Sequence, residues 1–543
     1  MKLKFSFSRP IIIFLFIILL ALVLRLWQLD KFPPGFNADE AAYGYNAYSI
    51  LTTGKDEWGK SFPLVLKSFS DYKPALYAYV TIPFIALLGL NELAVRLPAA
   101  LFGVLAVILI YFLSLELFKN KTVALSTAAL LAISPWHLHF SRGAWETNVA
   151  TTFILMGILG FVLSFKNIKW LSLSIIGFAL SLYTYQSPKI FIPIFGLLLI
   201  IFYRKFLIAK SNLKYLLLGA VIVSPLIITI ITDKSLSRFQ SVSLITDKGP
   251  VVILEEQKAD YNNPNQLVSK IIHNKPIAYA NFFLTQYLKH FDPAFLFIEG
   301  DPIKRDAIPG MGQLYLFEII TIAFGAYLLL TKKYPDKKLI LLWLLISPIP
   351  ASLTFQSPHA MRAYNMVMPL ALISGLGLGM LLEKIARLNV ERKILLYSLI
   401  GFFVLFSFIN YLDGYYVHLP KRYAVEWESG FSKLVPLIIN QKNQYQKVVV
   451  TLRYDQPYIL FLFYSKYNPN EYRKTVRLGD IDEFGFGNVK GFDKYEFRPI
   501  NQAEMAVSKN VLFAGTSEEM KDQKVLDIIN FPNNQPAFKI VGI

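Results

Sequence analysis

Two adjacent carboxylates, Asp39 and Glu40, stand just beyond the first membrane-length apolar run, in the stretch Phe36-Asn37-Ala38-Asp39-Glu40. A carboxylate within hydrogen-bond reach of a hydroxyl can take its proton as the oxygen attacks. The rings of Tyr43, Tyr45, Tyr48 and Trp58 that follow would tune the solvation of such a pair at a membrane surface. The same letters also suit a helix N-cap, because Ala41 to Leu51 reads as an amphipathic helix.

Cations follow in the same outer segment. Lys73 lies in Ser70-Asp71-Tyr72-Lys73-Pro74, and Arg96 stands at the mouth of the next span. Either could simply snorkel to the interface. Held beside carboxylates in a partly dry cavity, they would suit a phosphate leaving group, because charge developing on oxygen is stabilised most where water is excluded. Arg305, just before a re-entry into the membrane, is a third candidate for the phosphate, although the Asp-Pro and Pro-Gly pairs around it read as turns.

Other polar residues interrupt the apolar runs and could line the same cavity: Tyr72, Arg142, Glu146, Tyr185, Gln186, His359 and Arg362. His137 and His139 share one side only in an extended chain, and no third ligand is placed near them, so no metal site is assigned.

These residues need a membrane scaffold, and the composition supplies one. With 54% hydrophobic and 17% charged residues, the 543-residue chain carries more apolar surface than a soluble protein could bury. The 55 Lys and Arg against 37 Asp and Glu sit largely in short clusters between apolar runs, which is a positive-inside pattern and not a nucleic-acid surface. The absence of cysteine excludes disulfides and thiolate chemistry. No small-residue cleavage site follows the first apolar run, so it reads as an uncleaved span with its N-terminus in the cytoplasm.

Hydropathy gives twelve helices, at about 11–29, 75–91, 96–118, 122–137, 147–165, 168–186, 189–203, 213–231, 313–331, 338–355, 363–383 and 393–412. If the short basic connections are cytoplasmic, the helices from 96 onward alternate consistently. The first span then delivers Asp39 and Glu40 outside, and 75–91, with Pro74, Pro83 and Gly89, must be a juxtamembrane helix. The expected architecture is an α-helical polytopic membrane protein of about eleven spans. Its membrane-embedded domain covers 1–412, with outer loops at 30–95 and 232–312, and 413–543 forms a small extracytoplasmic α/β domain. In that domain Val448 to Leu452, Val511 to Phe513 and Ala537 to Val541 read as strands, and Gln456 to Tyr467 as a helix.

Asp39-Glu40 after the first span, Tyr72-Lys73-Pro74-Ala75-Leu76 before an apolar helix, and Arg96-Leu97-Pro98-Ala99-Ala100-Leu101-Phe102-Gly103 recur in a known arrangement, together with Leu182 to Ser187 and the Gly300-Asp301-Pro302 to Gly312 segment. Over roughly residues 10 to 410 the chain resembles the membrane-embedded GT-C glycosyltransferases, in particular the protein mannosyltransferase and lipid A aminoarabinose transferase group. The resemblance implies transfer of a sugar from a polyprenyl-phosphate donor to a protein, lipid or glycan acceptor on the extracytoplasmic face, with inversion. It implies Asp39 as general base, Glu40 as a neighbouring essential carboxylate, and Lys73, Arg96 and Arg305 on the lipid phosphate. Ala75 follows Lys73-Pro74 where that family commonly has a second proline. No insertion resembles the large sugar-binding domain of eukaryotic protein mannosyltransferases, which favours a prokaryotic plasma-membrane enzyme of the cell envelope. No cofactor is firmly implied, because two or three fixed cations can offset a single phosphate, and a divalent cation is left open. The alternative is a transporter or flippase for lipid-linked sugars. That reading favours two similar halves and charges near the bilayer midplane, whereas here the charges cluster at the outer ends.

Overall fold

The computed structural model describes residues 8–69, 71–232, 244, 246–261, 266–334, 336–481 and 487–543. Ser70 of the Lys73 motif, the N-terminal Lys2 and Lys4, and parts of the 232–312 segment lie outside these. The first half of the chain carries helices α1 (Arg9–Leu26), α2 (Ala38–Thr53), α3 (Leu76–Leu88), α4 (Glu92–Phe118), α5 (Lys121–Ile133), α6 (Pro135–Phe140) and α7 (Glu146–Ser164). Strands β1 (Val65–Ser68) and β2 (Asp71–Pro74) form an antiparallel hairpin that pairs Leu66 with Lys73.

Among the described residues, seven helices are long and apolar enough to cross a membrane: α1, α4, α7, Pro188–Leu207, Leu213–Ile231, Tyr364–Ala386 and Val390–Arg422. The chain is an integral membrane protein. Other apolar runs that hydropathy reads as spans form shorter helices, namely α5, Trp170–Leu182 and Glu318–Thr331. Proline is one reason. The run at 122–137 ends as α5 and restarts at Pro135, and the run at 338–355 breaks into Lys337–Ile346 and Ile349–Ser352 around Pro348. A proline inside a helix removes a backbone donor and clashes with the preceding turn. Helix α3 has 13 residues, about 20 Å at 1.5 Å per residue, against a hydrocarbon core of about 30 Å.

The chain divides into two compact units, one of Met1–Ile17, Val107–Trp136 and Phe153–Val404, the other of Ile18–Ala106, His137–Thr152 and Leu405–Ile543. In the first unit, small residues let helices approach closely. A Cβ on Gly325 would lie 1.9 Å from the Ile373 carbonyl oxygen, and one on Gly377 1.9 Å from that of Thr321. Polar side chains pair across the same contact, with Thr321 and Ser374 hydroxyls 2.7 Å apart and Ser374 donating to Glu318 at 3.0 Å. This is how helices associate where lipid offers no hydrophobic drive.

In the second unit, residues after 413 form a seven-stranded sheet in the order β4-β5-β6-β3-β7-β9-β8. Its strands are β3 (Lys447–Val450), β4 (Arg477–Ile481), β5 (Gly487–Phe492), β6 (Tyr495–Phe497), β7 (Val511–Gly515), β8 (Asp527–Asn530) and β9 (Pro536–Gly542). The run Val448-Val449-Val450 is buried, as a central strand parallel to both neighbours requires. Val449 packs with Met505, Phe513, Met520 and Val541.

Candidate active site

Asn37 starts α2 with a reciprocal cap. Its side-chain oxygen accepts from the Glu40 amide at 3.1 Å, and Glu40 Oε2 accepts from the Asn37 amide at 3.3 Å. The cap places both carboxylates in the first turn, where the helix's unpaired N–H groups favour negative charge. Consecutive helical residues are turned by about 100°, so the two side chains diverge into different surroundings.

Glu40 points inward and is 2% exposed. Arg96 holds it from both sides, through Nε to Oε1 at 2.9 Å and Nη2 to Oε2 at 3.0 Å, and the Ala144 amide adds a bond of 2.8 Å to Oε1. Arg96 also donates to the carbonyls of Leu29 (3.2 Å), Pro33 (3.3 Å) and Gly35. All five N–H groups of its guanidinium therefore have protein acceptors. Gly35 is required at this point, because a Cβ there would lie 2.0 Å from the Trp427 carbonyl oxygen.

Asp39 points the other way, with a side chain 34% exposed, and forms an ion pair with Lys73. Lys73 is held by the β1–β2 hairpin, and its ammonium lies 4.8 Å from the Phe69 ring centre and 5.7 Å from that of Tyr43. Tyr72 precedes it on β2 and is half-buried. Glu146, the first residue of α7, is buried within the electrostatic reach of Lys73, Asp39 and the Tyr43 hydroxyl. Two carboxylates, Asp39 and Glu146, and one ammonium thus meet at the starts of α2 and α7 and the end of the hairpin.

Sequence reasoning missed Glu57 beside this group. It is 1% exposed, and Asn46 brackets it, accepting from its amide at 3.0 Å and donating to Oε2 at 3.1 Å. Tyr458 donates to Oε1 at 3.1 Å. Burial, with Asp56 adding, pushes the Glu57 carboxyl from 4.5 up to about 8, while Tyr458, Asn46 and Lys73 oppose the shift. The helix that carries Tyr458, Pro457–Tyr464, packs on α2, and a Cβ on Gly44 would meet the Phe463 ring at 2.7 Å.

Arg142 lies in the same unit but does different work. It donates to the carbonyls of Leu24 (2.6 Å), Trp27 (2.7 Å) and Phe32 (3.3 Å) and to the Tyr415 hydroxyl (3.2 Å), closing the C-terminal end of α1. His137 accepts from Arg25 at 2.7 Å. His139 packs edge-on against Tyr415 and Trp427.

The remaining candidates fall in the other unit. Tyr185 and Gln186 lead into the helix Pro188–Leu207, and Ser187 donates to the Arg362 carbonyl at 3.0 Å. Arg362 donates to Thr354 at 2.7 Å and feels the charges of Asp306 and Asp301. Arg305 is half-buried in a single 3-10 turn, Lys304–Asp306. Asp301, Asp306 and His359 each offer a ligand atom within 4.8 Å of the others, so this buried group can hold a metal ion. The sequence places Asp301 and Asp306 in turns; nothing in their spacing links them to His359.

Residues 72–229 match the model of a family described as dolichyl-phosphate-mannose-protein mannosyltransferase. No curated protein matches the sequence. Among solved structures, the chain is similar to ArnT from Cupriavidus metallidurans bound to undecaprenyl phosphate, with a TM-score of 0.57 and 11% identity over 97% of each chain. The apo state of that protein gives 0.56 and 12% over 98% of each. The archaeal oligosaccharyltransferase AglB from Archaeoglobus fulgidus, in complex with an inhibitory peptide and a dolichol-phosphate, gives 0.54 and 14% over 94% of this chain and 69% of that one. With these matches, the GT-C resemblance read from the motifs holds at the level of architecture, and the chain has the ArnT-like fold.

Proposed function

We propose that the protein is a membrane glycosyltransferase that moves a sugar from a polyprenyl-phosphate donor to an acceptor hydroxyl or amine on the extracytoplasmic face. The observation that carries this reading is the division of the carboxylate pair. Glu40 is enclosed by Arg96 and a backbone amide, while Asp39 keeps an open face beside a buried lysine. Support comes from the mannosyltransferase family match over 72–229 and from solved relatives that bind undecaprenyl phosphate or dolichol-phosphate.

In this reading Asp39 takes the acceptor proton as the acceptor oxygen or nitrogen attacks the anomeric carbon. The sugar–phosphate bond breaks and the electron pair leaves on the lipid phosphate. Attack from the face opposite the phosphate inverts the anomeric centre in a single step, with one base. Lys73 lies beside the base, and its charge in a site walled by Phe69 and Tyr43 offsets charge growing on the leaving oxygen. Arg305 belongs to the other unit, and a phosphate role for it rests on the resemblance alone. Arg96 has a positioning role in place of the phosphate contact implied by resemblance, because its donors are committed to Glu40 and carbonyls. The pair together fixes the first turn of α2 and so the direction of Asp39. Tyr72 and Glu146 line the approach, and Tyr185, Gln186, His359 and Arg362 serve the other unit. Lys73 gives the site a fixed cation, a divalent cation there stays open, and one bound at Asp301, Asp306 and His359 would act on that segment.

The test is turnover. Purified protein in lipid nanodiscs is given a panel of polyprenyl-phosphate sugars with cell-envelope acceptors, and loss of sugar from the lipid is followed. Asp39→Asn should lower the rate about 10²- to 10⁴-fold, the usual contribution of a positioned base, without loss of membrane insertion. Retention of full activity by Asp39→Asn, or no turnover with any donor, would overturn the reading.

A further inference from the structure

The segment Gly300–Asp306 and the approach to the helix Tyr364–Ala386 meet at Asp301, Asp306 and His359, which are 5%, 2% and 5% exposed. Burying two carboxylates and an imidazole needs compensation. Arg362 lies within electrostatic reach of both carboxylates. The geometry does not match a simple histidinium–carboxylate bridge. His359 Nδ1 lies 3.4 Å from Asp306 Oδ2 and 3.8 Å from Asp301 Oδ2. Charge-assisted N–H···O bonds run at about 2.7–2.9 Å. Two ligand atoms each about 2.0–2.2 Å from one ion at tetrahedral angles stand roughly 3.3–3.6 Å apart, which is closer to what is seen.

The groups around these donors orient them. Asp301 Oδ1 accepts from the Ile303 amide at 2.7 Å and Oδ2 accepts from the Ala360 amide. The His359 amide donates to His290 Nε2 at 3.2 Å, and the other ring nitrogen of His290 bonds the Gln286 carbonyl at 3.0 Å. His290 must therefore carry its proton on Nδ1 and accept at Nε2. Gly300, with φ +79 and a virtual Cβ 2.8 Å from the Met311 carbonyl oxygen, provides a backbone turn that a side chain would obstruct. Donors fixed by a second layer of hydrogen bonds are the usual construction of a metal site.

We propose that Asp301, Asp306 and His359 bind one divalent transition-metal ion, zinc by preference, through two carboxylate oxygens and the imidazole Nδ1. The mixed oxygen and nitrogen set argues against magnesium and calcium, which favour all-oxygen shells. Three protein ligands leave one position open for water or an anion, with Arg362 adjacent. The ion clips the loop at 301–306 to the residue before Ala360, and this role is independent of the transferase reading.

The experiment uses the full chain purified in detergent, stripped with chelator, equilibrated with micromolar zinc chloride and passed through a desalting column. Wild type should retain about one zinc per chain, and Asp306→Asn and His359→Gln about a tenth of that or less. Chelator should lower the melting temperature of wild type and zinc restore it, because an ion bound only to the folded state stabilises that state. Wild type that retains no zinc, or an Asp306→Asn protein that retains as much as wild type, would overturn the proposal. Should a variant fail to fold, the wild-type stoichiometry and the reversible melting shift decide it alone.

Discussion

Arg96 and Glu40 are both buried, and two hydrogen bonds join their charges. Taking one away strands a charge in a dry place, which costs about 3–5 kcal/mol where it has been measured. Arg96→Met should therefore lower stability by about that amount in denaturant or thermal unfolding. Glu57 makes the opposite case, a carboxyl kept neutral. It titrates near 8 in the folded chain against an ordinary 4.5, so as pH rises between these values the unfolded state has already lost the proton that the folded state holds. Stability must then fall with rising pH across that window and level off above it. Glu57→Gln should flatten this part of the stability profile, read as melting temperature from pH 5 to 9 against wild type. At this scale the sequence was informative only where the signal was local. Asp39 and Glu40 are adjacent and carry their own capping residue, whereas the Glu57 and Tyr458 bond joins residues 401 apart, a separation no spacing rule can register. Arg96 stands out in the sequence as a cation at the mouth of a span, but its acceptors, Glu40 and three backbone carbonyls, leave no spacing signal.

Among the elements, the closest contacts are made by glycine. In the first unit a Cβ at Gly377 would overlap the backbone of Thr321. No rotamer change relieves an overlap with backbone, so Gly377→Ala should cost about 1–3 kcal/mol, the range for overpacking. Gly401, in the helix Val390–Asp413, would meet nothing within 4 Å, and Gly401→Ala should be neutral or slightly stabilising from helix propensity alone. Melting of the two variants side by side in one detergent separates a packing requirement from a general dislike of substitution in membrane helices. The strands of the C-terminal sheet were readable because β-branched and aromatic runs announce themselves: Val448 to Leu452 became β3, Val511 to Phe513 β7 and Ala537 to Val541 β9. Helix lengths in the membrane region were not, because hydropathy sums over a proline that backbone hydrogen bonding does not cross. The long apolar run at 338–355 is two helices for that reason.

For the molecule, the arrangement that matters is sidedness, and one helix relates its two ends. Helix α4 has 27 residues, about 40 Å at 1.5 Å each, and carries Arg96 near its start with Lys119 one residue past its end. That length is enough to cross a hydrocarbon core of about 30 Å, and the proposed topology puts its two ends on opposite faces of the bilayer. Basic residues gather at Lys119 and Lys166, whose side chains are 56% and 60% exposed and share Glu116, and cytoplasmic loops are where lysine and arginine accumulate. The carboxylate site and the C-terminal sheet belong to one unit, which joins Tyr45 to the Tyr467 carbonyl and Arg473 to that of Asp56, and the proposed topology puts both outside. The chain has no cysteine, so single cysteines report position without background. Lys474, 68% exposed in the C-terminal region, should react as Lys474→Cys with a membrane-impermeant maleimide added to intact cells or spheroplasts. Lys119→Cys and Lys166→Cys should react only after the membrane is opened. The reverse labelling pattern would place Asp39 in the cytoplasm, where a donor presented on the outer leaflet could not reach it, and would refute the extracytoplasmic transfer proposed for this protein.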